Sequence, residues 1–254
     1  MSKLNELFQK DLHVVNFGIE SFYKDLVSQR VPAVHVDWKP VAGGDKVAAG
    51  NLRKLKNPEL AAKIEEANKE ALRRILAAQP TLVGLGIAGE VIPGMTKKTI
   101  LHAGPPVTWE RMSGPQKGAV MGGLIYEGLA KDLKEAEELA ASGEIKFDPC
   151  HMHSAVGPMA GVVTASMPVW ILKNKTFGNY AYCTINEGLG KVLRFGACDD
   201  EVLTRLRWME KDLYPVLKAA VEYKGEIDIK VLIAKLLQMG DEAHNRNEAG
   251  TSLL

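Results

Sequence analysis

The chain has 254 residues, 46% of them hydrophobic and 25% charged, which is enough for one large domain or two smaller ones around a sizeable core. A formal net charge of +1 leaves no broad basic field, which argues against nucleic acid or an anionic membrane as a partner. The opening MSKLNELFQKDL lacks the apolar core of a secretory signal, and the cysteines Cys150, Cys183 and Cys198 stand at unrelated spacings, so a reducing, cytoplasmic setting is expected.

Residues 4–10 can form a short surface helix. Residues 12–16 (LHVVN) read as a buried strand closed by Gly18, residues 19–29 carry Phe22 and Leu26 at helical spacing, and residues 31–36 read as a second strand. Strand, turn, helix and strand make a β-α-β unit, which favours a parallel sheet. Asp37 stands where a dinucleotide-binding fold places its ribose acid, but the turn at 16–20 holds a single glycine, so a strand-end role is the better reading. The turn over 39–45, with Gly43 and Gly44, sits at the carboxyl end of the second strand, where ligands approach open α/β sheets.

Asn57-Pro58-Glu59 is a helix start, with a capping Asn, Pro at the first helical position and an acid facing the dipole; the helix should run to about Ala78. Residues 82–87 form a third buried strand, followed by a loop carrying Glu90 and Pro93-Gly94. Residues 99–103 resemble another strand. Ser113 and Gln116 fit a capping box that opens a helix to about Leu129, and Gly122 and Gly123 in it imply close packing against a neighbouring backbone. A charged helix covers 131–141. Residues 169–173 and 179–186 read as two strands joined by a turn near Asn174-Lys175. Asp199-Asp200 begins a helix that runs to Val221 with a kink near Pro215, and 228–239 is amphipathic. The chain stops at Leu254 as an apolar run begins, which reads as the stump of a longer protein. The expected class is α/β: an N-terminal Rossmann-like β-α-β layer in residues 1–96, a mixed α+β domain with Gly/His-rich loops in 97–198, and a truncated helical segment in 199–254.

Residues 147–172, FDPCHMHSAVGPMAGVVTASMPVWIL, carry the densest chemistry. Pro- and Gly-punctuated loops of this kind are usually functional. Two prolines, two glycines, a Thr and a Ser within 155–172 argue for a buried turn and strand over a membrane span. Cys150-His151-Met152-His153 invites a metal, but no further ligand pattern completes a site; a polar substrate contact, or a histidine that hydrogen-bonds its own loop, fits better. Cys150 is more simply a core residue than a nucleophile. The turns Gly157-Pro-Met-Ala-Gly161 and Asn186-Glu187-Gly-Leu-Gly-Lys191 offer backbone N–H groups to a phosphate or carboxylate, with Lys191 and Arg194 adding charge, yet neither is a Walker-type loop. His244, Asn245, Arg246 and Asn247 form either an anion or amide site or a polar helix surface.

Residues 149–161, 186–196 and 240–247, together with 15–22 and 36–38, resemble the YlbE-like family over essentially the whole chain. The resemblance implies one of three subunits of an oxamate carbamoyltransferase in allantoin catabolism, beside FdrA-like and YlbF-like partners, within an oligomer. The implied reaction converts oxalurate and phosphate to oxamate and carbamoyl phosphate, which calls for an oxyanion stabiliser and a proton shuttle. For that chemistry His151 and His153 are the candidates for proton transfer or oxyanion contact. Lys191, Arg194 and Arg246 would bind anions, and Asn186, Asn245 and Asn247 would read the amide. Gly157, Gly161, Glu187 and His244 complete the substrate-binding set. No cofactor and no metal are expected. The rival reading is a non-catalytic assembly or ligand-binding subunit.

Overall fold

A computed structural model describes residues 11–188 and 190–241. The helix expected at 4–10 and the polar group at 244–247 lie outside the described residues. The chain divides into two compact units, Met1–Arg74 and Ile75–Leu254.

In the first unit Val14–Phe17 (β1) and Ala33–Val36 (β2) pair in parallel, with helix Glu20–Ser28 (α1) crossing between them, as the sequence predicts. Asn16 Nδ2 donates to Ile19 O at 3.1 Å and to His35 Nδ1 at 2.9 Å, which ties β1 to the start of α1 and to β2. Asp37 pairs with Lys39 at 3.2 Å on an exposed surface. A 3-10 turn, Val41–Gly44, leads to a helix that the sequence reading lacks, Lys46–Leu55 (α2), whose cap Asp45 accepts from Val47 N at 2.7 Å and Ala48 N at 3.0 Å. Asn57 Oδ1 caps Pro58–Ala77 (α3) in the expected way, accepting from Glu59 N at 2.9 Å.

The second unit runs Pro80–Ile87 (β3), Ala88–Val91 (α4), Thr99–His102 (β4), Gly114–Tyr126 (α5) and Leu133–Ala141 (α6). It continues through Lys146–Pro149 (β5), a 3-10 turn at Cys150–His153, Ala155–Val156 (β6), Val162–Val163 (β7), Pro168–Asn174 (β8) and Tyr180–Thr184 (β9). A second 3-10 turn at Leu193–Phe195 precedes Asp200–Trp208 (α7), a π-helical turn at Met209–Leu213, Tyr214–Lys224 (α8), Ile227–Asp228 (β10) and Ile229–Gln238 (α9). The loop expected at Glu90 is thus a short helix. The single helix expected over 199–221 is interrupted by the π turn just before Pro215, whose nitrogen has no hydrogen to give the helical ladder.

The strands of this unit lie in the orders β10-β3-β8-β9-β6 and β5-β4-β7. The α/β class holds, but among the described residues parallel pairing is confined to β1–β2, β4–β5 and β6–β9, and the first unit shows a single two-stranded parallel pair. β3, placed by the sequence reading with the N-terminal β-α-β layer, is hydrogen-bonded antiparallel to β8, with Leu85 opposite Trp170.

Strand alternation sorts the core into layers. Leu101 and Val163 face Val169, Tyr182 and Cys150 between the two sheets, whereas Ile100 and Val162 face away, into a cluster with Ala119, Val120 and Leu124 of α5. On the outer face of the larger sheet, Leu82 and Leu85 pack on Val221 of α8.

The small side chains of α5 have a clear cause. A Cβ on Gly118 would stand 2.3 Å from Gly196 O, and one on Gly122 would stand 2.5 Å from Leu193 Cδ1. Gly118 therefore lies backbone against backbone on Gly196, whereas Gly122 and Gly123, where the sequence implies a neighbouring backbone, are crowded first by the side chains of Leu193 and Thr164. Gly118→Ala is expected to destabilise the fold by about 2 kcal/mol through overpacking, read as a lowered urea midpoint at unchanged slope.

Candidate functional site

The site is built from the loop that follows β9. Glu187 turns its carboxylate back on the 3-10 turn at 193–195: Leu193 N donates to Oε2 at 2.6 Å and Arg194 N to Oε1 at 2.9 Å. An anion at the N-terminal end of a helical turn satisfies amides that have no partner within the turn. That clamp fixes the start of the Arg194 side chain, which folds over the same loop. Its Nη2 donates to Gly188 O at 2.6 Å, and its Nη1 donates to Asn186 Oδ1, which also accepts from Gly188 N at 2.9 Å. Both acceptors are neutral carbonyl oxygens, so these contacts do not cancel the guanidinium charge. The Phe195 ring lies 5.1 Å from the guanidinium carbon.

The Gly157–Gly161 loop closes on this turn. A Cβ on Gly161 would meet Arg194 Cα at 2.7 Å, so only glycine lets the two backbones approach so closely. Between them opens a cavity of about 600 Å³. Asn186, Glu187, Arg194, Gly157 and Pro158 line one part of it. Val162, Met167, Ile185, Leu193, Leu206 and Met209 make the wall mainly apolar, and Tyr126, Cys183 and Thr184 add polar atoms.

The structure thus brings Gly157, Asn186, Glu187 and Arg194 to one cavity and sets Gly161 directly behind it. Lys191 does not line it; Nζ pairs with Asp199 Oδ2 at 2.9 Å, and that carboxylate raises the ammonium pKa. Nor do the two histidines line it. His151 is exposed on the 3-10 turn. The side chain of His153 is 10% exposed, with Nε2 at 2.9 Å from Asp148 Oδ2 and Nδ1 at 2.8 Å from Pro93 O. Both neighbours are acceptors, so holding both bonds needs a proton on each ring nitrogen. His244, Asn245, Arg246 and Asn247 lie outside the described residues.

Burial pushes the Cys150 thiol up to about 11, which disfavours the thiolate a nucleophile needs and suits the core role. Burial also raises the Cys183 and Cys198 thiols. Among the described residues no three His, Cys, Asp or Glu side chains are grouped to hold a metal ion, and no helix is long and apolar enough to cross a membrane.

The sequence reading missed Tyr126, Met167, Thr184, Leu206 and Met209. Tyr126, Thr184, Leu206 and Met209 lie in helices, a strand and the π turn, and Met167 in the turn before β8; tertiary packing brings them to the cavity. One signal was present: the kink expected near Pro215 is a π turn, and such turns are frequent at functional sites. Met209 begins it.

Residues 145–254 match the family described as oxamate carbamoyltransferase subunit AllG. Every cavity-lining residue except Tyr126 falls inside that span. The chain is 52% identical over 248 residues to the uncharacterized protein YahG of Escherichia coli (strain K12), covering 98% of this chain and 52% of that protein. It is 46% identical over 193 residues to the oxamate carbamoyltransferase subunit AllG of the same strain, covering 75% of this chain and 46% of that protein. The crystal structure of a conserved protein of unknown function from Enterococcus faecalis V583 aligns with a TM-score of 0.72 at 53% identity, covering 75% of this chain and 46% of that one. The chain spans about half the length of the curated relatives it matches.

Lys146 first, and His153 second, hold the Asp148 carboxyl below its ordinary range. A carboxyl depressed in the folded state adds stability above its unfolded pKa and loses it as the pH falls through the folded value. Asp148→Asn is expected to lower the melting temperature at neutral pH, with the gap from the unmodified chain closing as the pH drops below the ordinary carboxylate range. Thermal melts across an acid pH series check it.

Proposed function

We propose that this chain is a subunit of an oxamate carbamoyltransferase-like enzyme, acting with FdrA-like and YlbF-like partners on oxalurate, phosphate, oxamate and carbamoyl phosphate. The cavity beside Arg194 is where the acid-and-amide substrate sits. One observation carries the reading: a guanidinium held by neutral oxygens at the edge of a mainly apolar cavity. Its charge is left for a ligand carboxylate or phosphate, and low-polarity walls strengthen that attraction. Asn186 fits the second half of the ligand. Its Oδ1 is taken by Arg194 and Gly188 N, so its Nδ2 hydrogens are what it offers. They suit a carbamoyl or amide oxygen, and the oxyanion that forms on it when phosphate attacks. Glu187, with both carboxylate oxygens on the backbone, positions this pair and is not the base.

A second reading is favoured by where the histidines lie. With His151 at the surface and His153 engaged by Asp148 and Pro93, the proton transfer would fall to a partner subunit, and this chain would bind ligand without itself completing the chemistry.

Reconstitution with the two partners tests both. Arg194→Ala is expected to cut formation of carbamoyl phosphate from oxalurate and phosphate by about 10–100-fold, the worth of hydrogen bonds to a charged group, while size-exclusion elution of the complex stays unchanged. Full activity in Arg194→Ala removes the site. Loss of activity in His151→Ala with assembly intact favours the first reading, and retention favours the second.

A further inference from the structure

The cavity has a second polar feature, remote in sequence from the Arg194 loop. Tyr126, the last residue of α5, lines it, and the surroundings of its hydroxyl are unusual. The hydroxyl oxygen lies 2.9 Å from Glu210 Oε2, on the π turn, and 3.2 Å from Ser166 O. Both neighbours are acceptors. Ser166 is itself fixed by Glu127, which takes Ser166 N–H at 2.7 Å and Ser166 Oγ–H at 2.8 Å. A phenol has one proton to donate. Whichever acceptor holds it, that proton stays with the protein, and the Tyr126 oxygen has only lone pairs to show to anything else. Ionisation does not change this: burial first, and then Glu210, push the phenol well above its ordinary range, so it stays a neutral hydroxyl.

We infer that Tyr126 is a specificity-determining residue of this cavity, an acceptor that selects ligands carrying an N–H donor, such as an amide or ureide nitrogen, with Glu210 as the positioning residue that keeps its proton out of play. The inference rests on reading the cavity as the acid-and-amide site and adds the chemistry that tells an amide acid from a keto acid of the same shape. Arg194 and Asn186 provide only donors, and a carboxylate with a neighbouring carbonyl satisfies those equally well whether it ends in NH₂ or in CH₃. An acceptor is needed to distinguish the two. A site built to hydrogen-bond an N–H penalises the analogue that lacks it, because the buried acceptor is then left unpaired. The π turn gives a structural reason for the arrangement. Met209 from the same turn lines the cavity, so the turn places an apolar wall and the carboxylate that governs Tyr126 side by side.

The test compares oxamate with pyruvate, which has the same charge and shape with a methyl in place of the amide nitrogen, by isothermal titration calorimetry on the full chain. The unmodified chain is expected to bind oxamate about tenfold more tightly than pyruvate, the worth of one hydrogen bond in a buried site. Tyr126→Phe is expected to abolish that preference by weakening oxamate alone. A preference that survives in Tyr126→Phe overturns the inference. So does equal affinity for the two ligands in the unmodified chain, a comparison that needs no variant and stands even where Tyr126→Phe fails to fold. Arg194→Ala separates this outcome from failure of the underlying reading. It is expected to weaken both ligands together; unchanged binding of both, or no binding of either to the unmodified chain, removes the cavity as an acid site and the Tyr126 inference with it.

Discussion

The clamp of Glu187 on the amides of Leu193 and Arg194 is the contact from which the site follows. A carboxylate with both oxygens on backbone N–H groups is strongly held, because an ionised acceptor strengthens each bond and the amides would otherwise be unpaired. It ties Glu187 to the turn at 193–195, and the guanidinium of Arg194 folds back onto Asn186 Oδ1 and Gly188 O. The other side of the turn is set by α5, which approaches so closely that Gly118 and Gly196 have no room for a Cβ. Pinned from both sides, the turn holds Arg194 at the cavity without a carboxylate partner among the described residues.

The cavity that results has two chemically distinct polar features on mainly apolar walls. Donors gather at Arg194 and Asn186; an acceptor stands at Tyr126. They come from different elements: the donors from the loop after β9, and the acceptor from the end of α5, with its proton held by the π turn after α7. The remaining walls come from the Gly157 loop, from β6, β7, β8 and β9, and from α7. The histidine pair, conspicuous in sequence, is structurally peripheral to the cavity, His151 exposed and His153 largely enclosed. His153 works as a brace between Asp148 and Pro93, joining the end of β5 to the loop before β4.

The comparisons bear on the same region. The stretch that matches the carbamoyltransferase-subunit family, residues 145–254, holds the lining of the cavity apart from Tyr126. The carboxylates nearest the site are committed to structure: Glu187, in the cavity lining, to the backbone amides of Leu193 and Arg194, and Glu210, behind it, to the Tyr126 hydroxyl.

Local signals in the sequence determined most of the elements. Asn57, Ser113, Asp199 and Asp228 cap helices where their short side chains reach the first free amides, and the 2- and 3.6-residue apolar periods separate strands from helices. They also singled out the Asn186–Arg194 turn and the Gly157–Gly161 loop, because glycines beside donors are visible in any reading of the chain. What only the tertiary structure decided is which of these meet. The antiparallel pairing of β3 with β8, the orientation of Glu187 toward its own backbone, the withdrawal of Lys191 to Asp199, and the arrival of Tyr126, Met167 and Met209 at one cavity all depend on contacts between residues far apart in sequence. Such contacts are fixed by packing density and by the pairing of buried polar groups, and neither is written in the local pattern of the chain.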